Sequence, residues 1–341
     1  MAKKNSFRST IKRSFVSEII CRVAPRIGAS VLMEPEYGFA GQITFKNGKK
    51  VLFRDRAFNI NPLASSGIAR IKSYTDFFLK LYGYKTIEGQ TFFSKSTNER
   101  MKIKRTIHDG YDYAKRLGFP VILKPNDLSE GILVTKVHTK QEYYLTATKI
   151  LKRTPVMLVQ KFYEGFDYRI VVLDREVISA YQRIPLFIIG DGESSIETLL
   201  LRKQRHFKEI GRNTEIQMDD FRITQKLQRQ KLRLSSIPAK REKIFVLDNA
   251  NLSTGGDAID VTEHIHKDFQ RLAVRITRDM GLRMCGVDII TSHDIRTKLS
   301  DYVIIEINSA PGLDNYASIG NKQKRRVDQL YLKVLKAISR A

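Results

Sequence analysis

The chain has 341 residues and a formal net charge of +24, from 60 Lys and Arg against 36 Asp and Glu. Its hydrophobic content of 42% can bury a core, and it has no apolar run of the ~18 residues that would predict a membrane-spanning helix. The two cysteines, Cys21 and Cys285, cannot build a disulfide framework, which favours a reducing cytoplasm. The basic excess favours anionic partners, either nucleic acid or small anionic substrates.

The first 58 residues predict a small N-terminal region. Residues 1–17 hold five basic side chains and no acid before position 18, which predicts a solvated basic helix; an organellar transit peptide is the alternative. Residues 30–58 predict a small β unit, in which Asn47-Gly48 is the turn of a hairpin over residues 41–53.

Helix and strand patterns then follow one another along the chain. Apolar spacing predicts helices over residues 64–82 and 102–117, each ended by a glycine. A buried strand is predicted at 120–124, and a helix opened by capping-box spacing at 139–152. The patterns beyond predict strands at 157–160, 168–173 and 177–181, a mostly helical basic segment at 194–242, and helices at 268–280 and 325–338.

Two β-branched apolar runs, 287–290 and 302–307, predict buried strands separated by a polar turn. Asp288 lies in the first run, and Glu306 and Asn308 lie in and just after the second. Because side chains two apart on a strand share a face, Glu306 and Asn308 project together, and an antiparallel partner would bring Asp288 beside them. Three oxygen ligands on one face suit Mg²⁺. Two solvated strand-edge acids beside an Asn-Ser turn are the alternative interpretation.

Other polar side chains are placed to bind a nucleotide. Lys124 ends a buried strand and is followed by the small polar loop 126–134, whose backbone N–H groups could cover phosphates. An ordinary loop with a surface lysine is the alternative. Phe162 and Tyr163 could pack on a flat ligand, and Asp167 could accept hydrogen bonds from a ribose; a hairpin with aromatic packing is the alternative.

The loop 251–256 combines amide and hydroxyl groups with two glycines, which suits a phosphate or an oxyanion, or else a polar surface turn. Arg169 and Arg183 lie within strand patterns and are candidates for bidentate anion binding or for salt bridges. The sequence shows no Ser/His/Asp or Cys/His arrangement, which argues against nucleophilic hydrolysis. Strand-borne acids, lysines and an anion loop favour Mg-nucleotide phosphoryl transfer instead.

Five blocks of the sequence resemble the ATP-grasp superfamily, in particular the ATP-grasp region of cyanophycin synthetase and of the bifunctional glutathione-synthesis enzymes. The blocks are GFPVILKP, EGFDYRIVV, RIPLFIIGDGESSIETLL, NANLSTGGDAIDVTEHIH, and GVDII with VIIEINSAPGL. The resemblance covers about residues 59–335 and implies an α+β fold of the ATP-grasp type, in which two α+β lobes enclose the nucleotide after a short N-terminal α/β region. The implied segments are an N-terminal region at 1–58, a helical linker at 59–118, the small lobe at 119–190, and the C-terminal lobe with a basic helical insertion at 191–341.

The resemblance also implies a role for each candidate site residue. The implied metal ligands are Asp288, Glu306 and Asn308, and the implied cofactors are ATP and Mg²⁺ (or Mn²⁺), with two ions expected. Arg183, Asn251 and Arg169 would act at the transferring phosphate or the acceptor carboxylate. ATP would be bound by Lys72, Lys124, Ser129, Gly131, Gln160, Lys161, Phe162, Tyr163, Asp167, Gly255 and Gly256.

The implied activity is that of a carboxylate–amine ligase that forms an amide through an acyl phosphate. Its substrates would be amino acids or peptides, and the basic residues between Arg202 and Arg241 favour an acidic acceptor; a homo-oligomer is left open. Two departures from the family pattern are Ile132 and Leu133 after Gly131, where more glycine is usual, and Gln160 in place of Glu. The altered loop motivates one alternative, an ATP-binding regulatory protein without catalysis. Charge alone motivates another, a nucleic-acid-binding protein, for which no recognition motif is present.

Overall fold

The computed structural model describes residues 13–340. This part of the chain forms two compact units: one combines the residues up to Pro62 with those from Ala310 onward, and the other spans Leu63–Ser309. The basic helix expected over residues 1–17 therefore lies largely outside the described residues. The boundaries between the four implied segments stay a prediction.

Helices and strands are mixed throughout, as an α+β fold requires, and none of the described helices is long and apolar enough to cross a membrane. The described helices are α1 (Phe15–Val23), α2 (Leu63–Arg70), α3 (Lys72–Leu81), α4 (Lys95–Met101), α5 (Ile107–Leu117), α6 (Lys140–Arg153), α7 (Ile196–Glu209), α8 (Phe221–Arg229), α9 (Lys267–Asp279), α10 (Asp314–Ala317) and α11 (Asn321–Arg340). The described strands are β1 (Ser30–Met33), β2 (Ala40–Thr44), β3 (Lys50–Arg54), β4 (Gly89–Phe93), β5 (Val121–Pro125), β6 (Thr135–Val137), β7 (Val156–Lys161), β8 (Phe166–Leu173), β9 (Glu176–Ile184), β10 (Phe187–Ile189), β11 (Lys243–Phe245), β12 (Asp257–Asp260), β13 (Met284–Thr291) and β14 (Val303–Asn308).

The first unit combines a three-stranded antiparallel sheet, in the order β1-β2-β3, with helices α1 and α11. The predicted hairpin is confirmed: β2 and β3 pair on either side of the Asn47-Gly48 turn, and Gly48 takes a φ of +79° that a side chain would disfavour. Ser14 caps α1 by accepting a hydrogen bond from the Ser17 N–H. Helix α11 begins earlier than the predicted start at 325.

A four-stranded antiparallel sheet, in the order β4-β7-β5-β6, opens the second unit. One face packs against α5 and α6 around a core that includes Val121, Leu123 and Val159. Strand β4 is missing from the sequence prediction, because a short segment at a sheet edge carries a weak pattern. The helix predicted over 102–117 is present as α5, but it starts five residues late: Lys102, with a φ of +53°, ends the preceding helix α4, and α5 starts only after its cap, Thr106.

The helix predicted over 64–82 is two helices. Ile71 has extended backbone angles of −107° and 110°, which ends α2 and starts α3. The single apolar stripe of the sequence conceals this break, because both helices turn apolar side chains toward the same core. The break fixes where Lys72 points, since this residue starts α3 and is buried.

A five-stranded antiparallel sheet, in the order β12-β9-β8-β13-β14, forms the centre of the second unit. One face is apolar and packs against α9 through buried side chains such as Ile170, Val287 and Ile276. Each fully buried aliphatic side chain of this kind stabilises the fold by about 1.5–3 kcal/mol. Because a slip of one residue would turn that face to solvent, the apolar face also fixes which polar side chains meet on the other face.

Residues 187–246 form a smaller layer with its own apolar core, built around Ile196, Phe207, Ile223 and Ile244. Strands β10 and β11 pair at its base, and α7 and α8 pack beside them. The prediction that 194–242 is mostly helical is wrong in part, because turns and irregular chain follow each of the two helices. We refer to residues 187–246 as the insertion.

Candidate active site

The polar face of the five-stranded sheet carries a row of side chains in direct register. Glu306 on β14 lies opposite Asp288 on β13, Asp288 lies opposite Arg169 on β8, and Arg169 lies opposite Tyr181 on β9. Directly opposed residues of an antiparallel pair point to the same face, so these four side chains are neighbours. The structure therefore brings Asp288 beside Glu306 through the antiparallel pairing expected from the sequence.

Asp288 is the centre of the charged cluster. Arg169 donates to both of its oxygens, from Nε to Oδ1 over 2.7 Å and from Nη2 to Oδ2 over 2.6 Å. Arg183 Nη1 lies 2.9 Å from Oδ2. Asp288 is 1% exposed, so burial by itself raises the pKa of its carboxyl, but the two guanidinium groups outweigh burial and the pKa is lowered. The carboxyl is thus held as a carboxylate inside the protein.

Asp167 occupies the next row of the same face, opposite Arg183. Arg183 Nε donates to Asp167 Oδ1 over 2.8 Å, and the same guanidinium contacts Asp288. Burial raises the pKa of Asp167, and Arg183 only partly offsets it. The carboxyl implied for a ribose is therefore engaged by Arg183 in this structure, and its role toward a nucleotide stays a prediction.

Two buried lysines, Lys72 and Lys124, interact electrostatically with the same acids. Lys72 Nζ lies 3.9 Å from Glu306 Oε1 and donates to the Leu128 carbonyl over 2.6 Å. Lys124 is 3% exposed; burial, and secondarily the charge of Lys72, lowers the pKa of its ammonium to about 8. The positive charge of Lys72 acts on Lys124, and two buried cations that repel each other favour an added anion.

The donor set at the end of the sheet fits a divalent cation that also binds phosphate. Asp288 and Glu306 offer carboxylates on one face, and Asn308 stands one row along, opposite Gly286. Within residues 13–340, no three His, Cys, Asp or Glu side chains are grouped to hold a metal, and the Asn308 Nδ2 atom is buried without a hydrogen-bond partner. Two carboxylates and an amide are the sparse oxygen set that Mg²⁺ uses when substrate phosphates complete its shell.

The four-stranded sheet presents a second polar face. Gln160 on β7 is buried and lies opposite Ile122, which lies opposite Lys136 on β6. Lys136 Nζ lies 3.5 Å from the centre of the Phe162 ring. Sequence reasoning missed Lys136, although the alternation of Thr135-Lys136-Val137 is the signal of a strand with one polar side.

Two neighbouring candidates are placed differently from Gln160. Strand alternation puts Lys161 on the other side of β7, where it is exposed and its backbone N–H donates to the Glu88 carbonyl. The Tyr163 hydroxyl donates to Asp301 Oδ1 over 2.5 Å, and this hydrogen bond raises the pKa of the phenol to about 12. Both hydrogen bonds hold the chain just after β7 in place.

The two loops predicted to bind anions meet each other. A Cβ at Gly131 would lie 2.6 Å from Asn251 Oδ1, and the φ of +72° at Gly131 also disfavours a side chain there. Ser253 Oγ donates to the Glu130 carbonyl over 2.9 Å. Gly131 is thereby brought beside Asn251, and the roles of Ser129, Gly131 and Asn251 toward an anion stay a prediction.

A buried arginine that sequence reasoning missed supports the second loop. Arg212 Nη2 donates to the Leu252 carbonyl over 2.5 Å and to the Gly256 carbonyl over 2.6 Å. Gly255 has a φ of +98°, and a Cβ at Gly256 would lie 2.6 Å from the Ile184 carbonyl. The two glycines of this loop are therefore required by conformation and by close packing. Arg212 carries no local sequence signal for this role, since the two carbonyls that it binds lie 40 and 44 residues away along the chain.

Comparison with known proteins shows the family to which this chain belongs. The model of the RimK-like ATP-grasp domain matches residues 92–186 and 247–327, just over half of the chain. The cyanophycin synthetase of Crocosphaera subtropica is 33% identical over 223 residues, which are 62% of this chain and 25% of that protein. The glutathione biosynthesis bifunctional protein of Pasteurella multocida is 29% identical over 225 residues, which are 63% of this chain and 30% of that protein. The chain thus spans between a quarter and a third of the length of these curated relatives.

The fold agrees as well. The crystal structure of a bifunctional glutathione synthetase from Pasteurella multocida superposes with a TM-score of 0.58 at 22% identity, covering 93% of this chain and 43% of that one. The α+β fold of the ATP-grasp type and the resemblance seen in the sequence blocks are both confirmed. The chain is a member of the RimK-like ATP-grasp family.

Proposed function

We propose that this protein is an ATP- and Mg²⁺-dependent carboxylate–amine ligase that forms an amide bond through an acyl phosphate. One observation carries the proposal: Asp288 and Glu306 lie directly opposite each other on a buried sheet face, with two arginines and two lysines around them. Stability gives little reason to bury this many charges, because replacing buried ion pairs by apolar side chains of similar volume is often neutral or stabilising. The same charges are suited to holding a metal-bound triphosphate and to stabilising charge at its transfer.

The nucleotide would be bound by both sheets. The purine would lie against Gln160 and the Lys136–Phe162 pair, where the Gln160 carbonyl can accept from an exocyclic amino group. The phosphates would reach toward Lys72 and Lys124 beneath the loop 126–134. Burial lowers the pKa of the Lys124 ammonium, and a phosphate bound beside it would raise that pKa again by favouring the charged form.

Asp288, Glu306 and Asn308 would hold Mg²⁺, or Mn²⁺, and we expect two ions. A bound divalent ion at this position supplies Lewis-acid polarisation of the phosphate oxygens. The carboxylate of Asp288 has lone pairs beyond those that accept from Arg169 and Arg183, so ion binding does not require both pairs to break. The two arginines would then fix the orientation of the carboxylate.

The reaction would proceed in two displacements. An oxygen of the substrate carboxylate forms a bond to the γ-phosphorus of ATP while the bond to the bridging oxygen breaks, and ADP leaves with that electron pair. The nitrogen of the amine then attacks the acyl carbon, phosphate leaves, and the amine gives up a proton. Lys124 and Arg183 would offset the negative charge that builds up on the transferring phosphoryl group. Asn251 would orient the acceptor or the phosphate from the facing loop.

The substrates would be amino acids or peptides, as the names of the cyanophycin and glutathione relatives suggest. The net charge of +24 favours a negatively charged acceptor. A cytoplasmic setting, where ATP and free amino acids are abundant, is part of this proposal.

ADP release from the full chain, with ATP, Mg²⁺ and a panel of amino acids and acidic peptides, tests the proposal. We expect release that depends on both a carboxylate and an amine, and transfer of one ¹⁸O from a labelled carboxylate to phosphate. Glu306→Gln should abolish release, and Asp294→Asn, which changes an exposed ion pair with Arg296, should not. If calorimetry showed that ATP binds but no acceptor led to ADP release, the proposed ligase activity would be refuted, and the regulatory alternative would be favoured.

A further inference from the structure

The loop 126–134 has an unusual backbone for its sequence. Gly131 has a φ of +72°, but Glu130 and Leu133 also lie in the left-handed region, with φ of +61° and +56°. A residue with a side chain is disfavoured there, and such conformations persist only when the surroundings fix them. The loop therefore keeps a conformation typical of a glycine-rich loop while having glycine at only one of these three positions.

The surroundings hold the loop by its carbonyl groups. Lys72 Nζ donates to the Leu128 carbonyl over 2.6 Å, and Ser253 Oγ donates to the Glu130 carbonyl over 2.9 Å. In a planar trans peptide, the N–H points away from the C=O of the preceding residue. Holding these two carbonyls against the protein therefore turns the N–H groups of Ser129 and Gly131 to the opposite side.

The third anchor comes from the insertion. Arg222 on α8 is 9% exposed, and its Nη1 donates to the Gly131 carbonyl over 2.7 Å and to the Val134 carbonyl over 3.1 Å. Asp220 orients this guanidinium by accepting from Nε over 3.0 Å and from Nη2 over 2.5 Å. The same Asp220 caps α8, so the helix start, the arginine and the loop form one connected unit.

Arg222 lies outside the segments that match the family model, which leave out residues 187–246. A residue of the insertion thus fixes a loop that belongs to the family domain. This gives a physical account of the missing glycines: the hydrogen bonds of a buried, charged donor offset the cost of the left-handed residues.

We propose that Arg222 is a positioning residue for phosphate binding, and that it couples the insertion to the loop 126–134. The proposal rests on the ATP site proposed above. In this chain the arginine stabilises the left-handed loop conformation that additional glycines would otherwise allow. Any ligand that moves α8 also moves the backbone N–H groups that face the phosphates. ATP binding would then change the affinity of the insertion for such a ligand, and the ligand would change the affinity for ATP by the same factor.

Hydrogen exchange and calorimetry of the full chain test this assignment. In Arg222→Ala, amides of residues 128–134 should exchange about tenfold faster in the ligand-free protein, and ATP should bind about tenfold more weakly, from the loss of a charged hydrogen-bond donor. Adenosine, which has no phosphates, should bind as it does to the wild type. Arg222→Lys retains a positive charge beside Asp220, so its loop exchange and its ATP affinity should lie between those of Arg222→Ala and the wild type.

Arg229→Ala is the matched control. Arg229 lies on the same helix and also ties the insertion to α6; its guanidinium pairs with Glu142 at 3.0 Å and with Asp248 at 2.9 Å, neither of which belongs to the loop. It should leave the exchange of residues 128–134 and the ATP affinity unchanged. Glu130→Gly should reduce the effect of Arg222→Ala by about threefold, because glycine removes the cost of one left-handed residue.

Three results would overturn the assignment: unchanged loop exchange in Arg222→Ala, equal weakening of ATP and adenosine, or an equal effect of Arg229→Ala. A wild-type chain that binds no ATP would refute the proposed function separately. The exchange rates of the ligand-free variants would then still decide whether Arg222 holds the loop.

Discussion

Replacing Lys124 by methionine is expected to stabilise the protein while removing phosphate binding. Lys124 is 3% exposed, and burial together with the charge of Lys72 lowers the pKa of its ammonium from 10.5 to about 8. The folded protein therefore disfavours the charged form that it needs in order to bind an anion. Methionine matches much of the aliphatic stem and carries no charge.

The magnitude follows from the two pKa values. At about 1.4 kcal/mol for each tenfold change in an ionisation constant, the difference corresponds to about 3 kcal/mol. The sign is fixed by proton binding. Below pH 8 both the folded and the unfolded chain carry the proton, so the full cost is present. Between pH 8 and 10.5 the unfolded chain binds more protons than the folded one, so the cost falls as pH rises, and above 10.5 it is absent.

Scanning calorimetry at pH 7 and pH 10 measures this difference. We expect the melting temperature of the Lys124→Met variant to be roughly 5–10 °C above that of the wild type at pH 7, and the difference to be much smaller at pH 10. Titration calorimetry should show that ATP binding is lost. Lys226→Met is a matched control, because this lysine has its own partner, Asp248, at 2.6 Å, and its loss should not stabilise.

The reasoning would be refuted by a Lys124→Met variant that is no more stable than the wild type at pH 7. A gain in melting temperature that stays the same at pH 10 would equally show that the buried charge is not its cause. A stabilised variant that binds ATP with wild-type affinity would leave the energetics intact and remove Lys124 from the phosphate site.

Three further predictions concern buried or closely packed side chains. Asp288→Asn leaves two buried guanidinium groups short of an anion, so it should destabilise by about 3 kcal/mol or more, measured by calorimetric melting; an unchanged melting temperature would argue against the cluster. Burial raises the pKa of the Cys285 thiol to about 12, so a thiol reagent should modify Cys21 in the native protein and Cys285 only on unfolding, as mass spectrometry can check. Gly89→Ala places a methyl group against Gln160 and should weaken adenosine binding by about tenfold; equal binding would place the purine elsewhere.

Local pattern was enough to find much of the sheet face that carries the site. The period of two put Glu306 and Asn308 on one face, and the β-branched run around Asp288 marked it as a buried strand. Lys124 was recognisable because a charged residue at the end of an apolar strand is unusual. Helix ends were less certain: the break at Ile71 and the late start of α5 depend on caps and packing that the apolar stripe does not reveal.

Residue types and local periodicity thus identify the chemical groups and the face of the strand on which each one stands. Their partners depend on the tertiary fold: Arg169 and Arg183 both hold Asp288, Arg183 also engages Asp167, and Arg222 reaches the loop at Gly131. Arg169 and Asp288 are 119 residues apart, and Arg222 and Gly131 are 91 apart. Contacts over such separations are set by strand pairing and by the packing of separate layers. A local period of two or 3.6 residues carries no information about either.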